Sequence, residues 1–173
     1  MSHSNRGPSC ATCAALVLIL VAATTAGCGF HPSGYVSLPF QSVYISAPAY
    51  SSFAGELRRY IASGSKATLA PRREEADVVL EIINEQEEAQ ILSISVAGRV
   101  SEFQLRYRVS YRLHDSRDRD WIPVTQMLLH RDMTYDDQAV LAKQNEQDLL
   151  FQDMRTDAVR QMIRRLSAAH APA

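Results

Sequence analysis

Three sets of side chains in this sequence have the types and spacing to do chemistry: one cysteine, a row of arginines and a group of glutamates. Cys28 follows Thr25-Ala26-Gly27 and an apolar run at residues 14–23. Small residues ahead of a cysteine suit cleavage and lipidation: the thiol would take a diacylglyceryl group and the new amine an acyl chain. Arg106, Arg108 and Arg112 alternate with apolar residues, and Arg99 lies just before them. Guanidinium is a planar fork suited to phosphate and carboxylate. Against an anion site stands the ordinary reading, a solvated sheet face with cross-strand partners such as Glu81 or Glu85. Glu85, Glu87 and Glu88 could hold a cation, but their spacing is also that of a solvated strand face. The five histidines, His3, His31, His114, His130 and His170, do not stand at metal-ligand spacing to one another, to cysteine or to a carboxylate. No G-x-S-x-G elbow, phosphate-cradling glycine loop or H-E-x-x-H motif occurs. These patterns imply no enzyme, no metal and no cofactor.

The apolar run is about half the length a helix needs to span a bilayer. With Arg6 ahead of it and small residues behind, it reads as a signal peptide over residues 1–27. Ala-Gly-Cys then ends a lipobox, from which Thr25 departs by standing where Leu is usual. Cys10 and Cys13 leave with the signal, so their C-x-x-C spacing is neither a redox motif nor a zinc clip. In the bacterial lipoprotein-sorting pathway that this lipobox resembles, Asp after the cysteine favours inner-membrane retention, so Gly29 implies the periplasmic side of the outer membrane. Several acyl chains hold a soluble domain on a membrane stably. The most abundant phosphorylated ligand of that membrane is lipopolysaccharide, which gives outward arginines a specific candidate. With 18 basic and 19 acidic residues, the chain lacks the basic excess of a nucleic-acid binder.

The elements that must position these residues follow from periodicity. Residues 28–40, rich in Gly, Pro and Ser, predict a lipidated tether; residues 41–169 predict one domain. A strand is expected over residues 42–46. A helix capped by Ser51 or Ser52 follows, with Phe53, Leu57, Tyr60 and Ile61 on one face and Gly64 in the left-handed position past its end. A strand from Asp77 to about Glu87 comes next, continuing past an irregularity toward a hairpin tip at Ala97-Gly98-Arg99. Phe103, Leu105, Tyr107, Val109, Tyr111 and Leu113 alternate strictly with polar residues, so this strand has one buried and one wet face. After a charged turn at residues 114–120, a fourth strand is expected from Trp121 to Tyr135. A long helix capped by Asp136 or Asp137 closes the chain, with Leu150, Phe151, Met154, Ala158, Met162 and Leu166 as its apolar stripe. The order β-α-β-β-β-α predicts an α+β two-layer sandwich, a four-stranded sheet with both helices on one face.

Three stretches resemble the lipopolysaccharide-assembly lipoprotein family LptE: Cys28-Gly29-Phe30-His31, Ser101-Glu102-Phe103-Gln104-Leu105, and Leu141-Ala142-Lys143-Gln144-Asn145-Glu146-Gln147-Asp148 with the helix end Ile163-Arg164-Arg165-Leu166. The resemblance implies an outer-membrane lipoprotein that plugs and assembles with the LptD β-barrel, about one to one, and binds lipopolysaccharide as it enters the outer leaflet. It also implies lipopolysaccharide binding by Lys143, whose alternative is a simple pairing with Glu146 or Gln147. Arg99 lies near the family's other basic contact without aligning to it. Arg106 and Arg108 are candidates from the exposed strand face alone. The competing readings are a free-standing outer-membrane scaffold or lipid-binding module with no barrel, and a periplasmic hydrolase, for which no nucleophile-base pair is visible.

Overall fold

The computed structural model describes residues 36–172. The signal peptide expected at residues 1–27 and the lipidation expected at Cys28 lie outside the described residues. Strand β1 (Ser42–Ser46) is followed by helix α1 (Ser52–Gly64), a two-residue strand β2 (Thr68–Leu69) and a short 3-10 turn (Arg73–Glu75). Three long strands come next: β3 (Val78–Ile94), β4 (Val100–Asp115) and β5 (Asp120–Thr134). A 3-10 turn (Asp137–Ala139) then leads into helix α2 (Val140–Ser167).

The sheet has five strands in the order β2-β1-β3-β4-β5, not the four expected. The additional strand is β2, which runs parallel to β1 at the edge, pairing Ser42 with Thr68 and Val43 with Leu69. Two residues are too few to produce a side-chain period, so this strand is defined by its partner alone. Strand β1 also runs parallel to β3, while β3, β4 and β5 are antiparallel. Asp77 fastens the start of this arrangement: its carboxylate accepts from the amides of Gln41 and Ser42 (2.9 Å each), and its own amide donates to Ser42 Oγ.

Both helices cover one face of the sheet. Phe53, Ala54, Leu57 and Ile61 of α1 join Phe151, Met154, Ala158, Val159, Met162, Ile163 and Leu166 of α2 in one core, against alternate residues of the strands. Tyr60, expected on the buried face, is exposed. Ser51 caps α1 by accepting from the Ala54 amide (3.0 Å). Gly64 lies inside the last turn rather than in a left-handed position beyond it, and the residue after it is extended. A Cβ there would come within 3.3 Å of the Tyr60 ring, so close approach, not backbone freedom, favours glycine. Residues 36–40, assigned by composition to the tether, are packed on the body: the Val36 amide donates to Gly64 O, and Phe40 is buried edge-on to Trp121.

Each hairpin turn has its own device. Gly98 takes φ +74° at the β3–β4 tip, where the left-handed backbone suits a residue without Cβ. In the β4–β5 turn Asp118 has φ +62°, a region Asp tolerates better than most residues. Asp115 organises that turn, its carboxylate accepting from the amides of Arg117 (2.8 Å) and Arg119 (3.0 Å) and from Arg119 Nε (2.9 Å). The Arg119 amide, followed by the other donors, holds its carboxyl below the usual carboxylate range. A depressed folded value stabilises the fold above the unfolded pKa of about 3.9, and the contribution is lost as pH falls through the lower folded value. Acid titration followed by amide NMR should show the β4–β5 turn loosening over that window, and Asp115→Asn should remove that pH dependence.

Candidate functional site

The first polar constellation lies between the layers. Strand β3 has a register irregularity between Ile82 and Asn84, so the side-chain alternation slips by one residue. Val78, Leu80 and Ile82 face the helices before it; after it, Glu85 and Glu87 pair with Val109 and Tyr107 and take that face instead. The Glu85 side chain is only 8% exposed. Its Oε1 accepts from the Tyr107 hydroxyl (2.6 Å), and both its oxygens face the Phe53 amide (3.2 and 3.3 Å) in the first turn of α1, where a negative charge is favoured. Arg155 of α2 donates to Glu87 (2.9 Å), and its Nε lies 3.9 Å from Glu85. Burial, then the neighbouring carboxylate, pushes the Tyr107 hydroxyl well above its ordinary value, so it stays a donor. Burial works against the Arg155 charge, but Glu87 and Tyr107 outweigh it and the net shift is upward.

Tyr50 and Ser52 complete a cleft of about 250 Å³ over Glu85, Glu87 and Arg155. Its carboxylates are spent on structural donors. The solvated-face expectation fails for Glu85, which is buried; Glu87 takes the same side but stays exposed at the cleft mouth, paired with Arg155, and Glu88 is on the outer face. Sequence reading missed Arg155 because its partners come from a different layer, and missed the turn of Glu85 because alternation is blind to a bulge.

The second constellation is the outer face of β3–β4–β5. Arg106 Nε donates to Gln104 (2.8 Å), and Gln104 donates to Asp132. Arg108 is held by Gln86 (3.1 Å) and Glu88 (3.5 Å), and Arg112 by Asp118 (3.1 Å) and Asp120. Arg106 and Arg108 therefore do share a face, but with in-plane partners. Glu81 stands opposite Arg112 in register, yet the guanidinium turns to the β4–β5 turn.

The third constellation is the corner where the β3–β4 tip meets the entry to α2. The Tyr135 amide donates to Ser101 O (2.8 Å), and the Phe103 and Tyr135 rings pack edge to face at 5.1 Å. Arg99 lines a cleft of about 300 Å³ with Ser101, Tyr135, Asp136 and Asp137. Lys143 Nζ donates to Thr134 Oγ1 (3.2 Å) and Glu146 (2.8 Å). Arg99 and Lys143 thus lie at the same end of the sheet, away from Arg106 and Arg108. Among the described residues, no group of three His, Cys, Asp or Glu side chains could hold a metal ion, and no helix is long and apolar enough to cross a membrane.

A family model described as LptE, lipopolysaccharide-assembly, matches residues 40–166, which is the body of the fold from Phe40 to the end of the α2 stripe. The chain belongs to the LptE family. The LPS-assembly lipoprotein LptE of Photorhabdus laumondii is 29% identical over 161 residues, covering 90% of this chain and 85% of its own. The corresponding lipoprotein of Pectobacterium atrosepticum is 28% identical over 154 residues, covering 87% and 83%. Among solved structures, lipoprotein B from Nitrosomonas europaea shares 38% identity with a TM-score of 0.71, covering 81% of this chain and 91% of that one.

The LptE-like stretches have separate structural roles. In Ser101–Leu105, Ser101 and Glu102 bond to Ser93 Oγ (2.7 and 3.0 Å) and Phe103 packs on Tyr135, which ties the hairpin to β5's exit. In Leu141–Asp148, Lys143 and Gln147 turn toward the body while Leu141 is 78% exposed. The first stretch, Cys28–His31, lies outside the described residues. For the LptE core, Glu85→Ala should lower stability by about 3 kcal/mol, since it leaves the buried Tyr107 hydroxyl and the Phe53 amide without their acceptor. Glu85→Gln should cost less than half of that, and urea unfolding of both variants distinguishes the two.

Proposed function

We propose that this protein is a non-catalytic outer-membrane lipoprotein, anchored through Cys28 on the periplasmic side. In this reading it plugs and assembles with a β-barrel of LptD type, about one to one, and binds lipopolysaccharide during its insertion into the outer leaflet. The observation that carries the reading is the family match across the whole folded body. The shape supports it: strands of 15 to 17 residues make a rigid sheet about 50 Å long, well over the apolar band of about 25 Å of a membrane barrel.

For the glycolipid contact we assign Lys143 and Arg99, which share one end of the sheet. The Arg99 guanidinium has no hydrogen-bond partner among the described residues, so it is available to a phosphate or acidic sugar. Lys143 is already paired with Glu146, and a ligand would exchange that exposed partner for its own charge. Arg106 and Arg108, engaged within the sheet, are not assigned to the ligand.

Gentle detergent extraction of C-terminally tagged protein should bring down one large heat-modifiable barrel near equimolar ratio. Recovery of the lipoprotein alone would favour the free-standing scaffold. In a binding assay with purified lipopolysaccharide, Lys143→Asp and Arg99→Asp should each weaken binding about tenfold, whereas Lys143→Ala should lose only about 1 kcal/mol or less. Unchanged affinity in both Asp variants would remove the assignment.

A further inference from the structure

One histidine is buried with a cation against it. His114, which alternates with the core residue Leu113 at the end of β4, is 2% exposed, and Val79, opposite it on β3, is 1% exposed. The 3-10 turn between β2 and β3 reaches this corner, where Arg73 Nη2 lies 3.0 Å from His114 Nε2. Arg73 has no other side-chain partner among the described residues, so the ring is what holds it. Arg73, Glu74, His114 and Asp118 line a cleft of about 450 Å³.

The contact fixes the ring's proton. A guanidinium has donors only, so Nε2 must be the acceptor. The proton of the neutral ring therefore sits on Nδ1, which lies 2.9 Å from the Asp115 carbonyl oxygen and donates to it. Both ring nitrogens are in use, and the arrangement holds only for a neutral imidazole. Imidazole is also the side chain whose charge ordinarily changes between about pH 5 and 8. A second proton would go to Nε2, the nitrogen that faces Arg73. It would remove the acceptor and set two cations 3.0 Å apart.

The charged groups around the ring make that proton tolerable without restoring the Arg73 bond. Asp118 Oδ1, 3.6 Å from Nδ1, favours a charged ring but is shared with Arg112 (3.1 Å). Asp120, in register with His114 on β5, is bound to Arg112 as well, and the Asp115 carboxylate to Arg119 (2.9 Å). On the other side β3 gives the uncharged Val79, and β1 places Tyr44 beyond it. Glu74, next to Arg73 in the 3-10 turn, has no partner among the described residues and is a free carboxylate in the same cleft.

We infer that His114 and Arg73 form a pH-sensitive latch: the neutral ring ties the Arg73–Glu75 turn to the end of β4, and the protonated ring releases it. The turn leads into Asp77, which holds the amides of Gln41 and Ser42, and into Val78, which pairs with Val43. Acidification therefore loosens the domain at the end where its N-terminal segment enters the sheet. The latch does not depend on the barrel reading.

The test is amide hydrogen exchange of the full chain purified in detergent, read at Glu75 and Ala76. Their amides donate to Arg72 O and Arg73 O within the turn (3.2 and 3.3 Å). After correction for intrinsic exchange, opening should rise at least about tenfold between about pH 8 and about pH 5.5. The Asp115 carboxyl titrates below about pH 3.9 and stays outside this window. Arg73→Ala should already be open at the upper pH and change less than about twofold. His114→Gln, which stays neutral and offers an amide oxygen to Arg73, should remain closed throughout. An unchanged parent chain, or a rise that persists in either variant, would overturn the latch. Nitrogen-15 NMR of the His114 ring in the unaltered chain, at about pH 8, stands whether or not the variants fold. A proton on Nδ1 is expected there, and a proton on Nε2 would also overturn the latch.

Discussion

A carboxylate buried beneath two helices sets what the rest of the structure must supply. Glu85 is carried to the inner face by a one-residue slip in β3, and a charge there is tolerable only when donors surround it. Tyr107 from the neighbouring strand and the first-turn amide of α1 provide them, and the charge of Arg155 on α2, which donates to Glu87, lies 3.9 Å away. These groups come from β4, α1 and α2, so the Glu85–Glu87 cluster ties the sheet to both helices. Arg155 to Glu87, Thr156 to Glu56, Asp157 to Arg131 and Arg165 to Tyr111 add directional contacts that hold α2 in one orientation over the core.

The same slip divides the long strands into two regimes. Below it, Val78, Leu80 and Ile82 bury against the helices and make the core. Above it, β3 no longer has β1 beside it, since that pairing ends at Ser46 and Glu81. The β3–β4–β5 sheet therefore continues as an arm whose helical cover thins, and several apolar residues of β3, among them Ile91 and Ile94, are left exposed.

Charge pairing sorts the basic residues by role. Those in the middle of the outer face are engaged within the sheet, those on α2 such as Arg155 and Arg165 bond inward to the strands, and Arg99 at the hairpin tip is left without a partner among the described residues. Arg165, for example, donates to the Tyr111 hydroxyl (2.7 Å) and lies over its ring, so it fastens the end of α2 rather than serving solvent. A count of arginines would treat all of these as equivalent anion ligands.

The sequence by itself determined the elements with a sustained period: β4, whose strict alternation is read directly by the two faces of a strand, and α2, whose apolar stripe recurs at helical spacing. It also determined the family, through short stretches whose residue identities are specific regardless of geometry. The two-residue β2 was not legible, since it exists only as the partner of β1. Nor was the inward turn of Glu85 and Glu87, because a bulge changes which face a residue occupies without changing the local composition. The partners of Arg106, Arg108, Arg112 and Arg155 were likewise decided only by the tertiary structure. A guanidinium's availability depends on which carboxylates and amides the pairing of distant strands brings within about 3 Å, and that register is a property of the folded sheet.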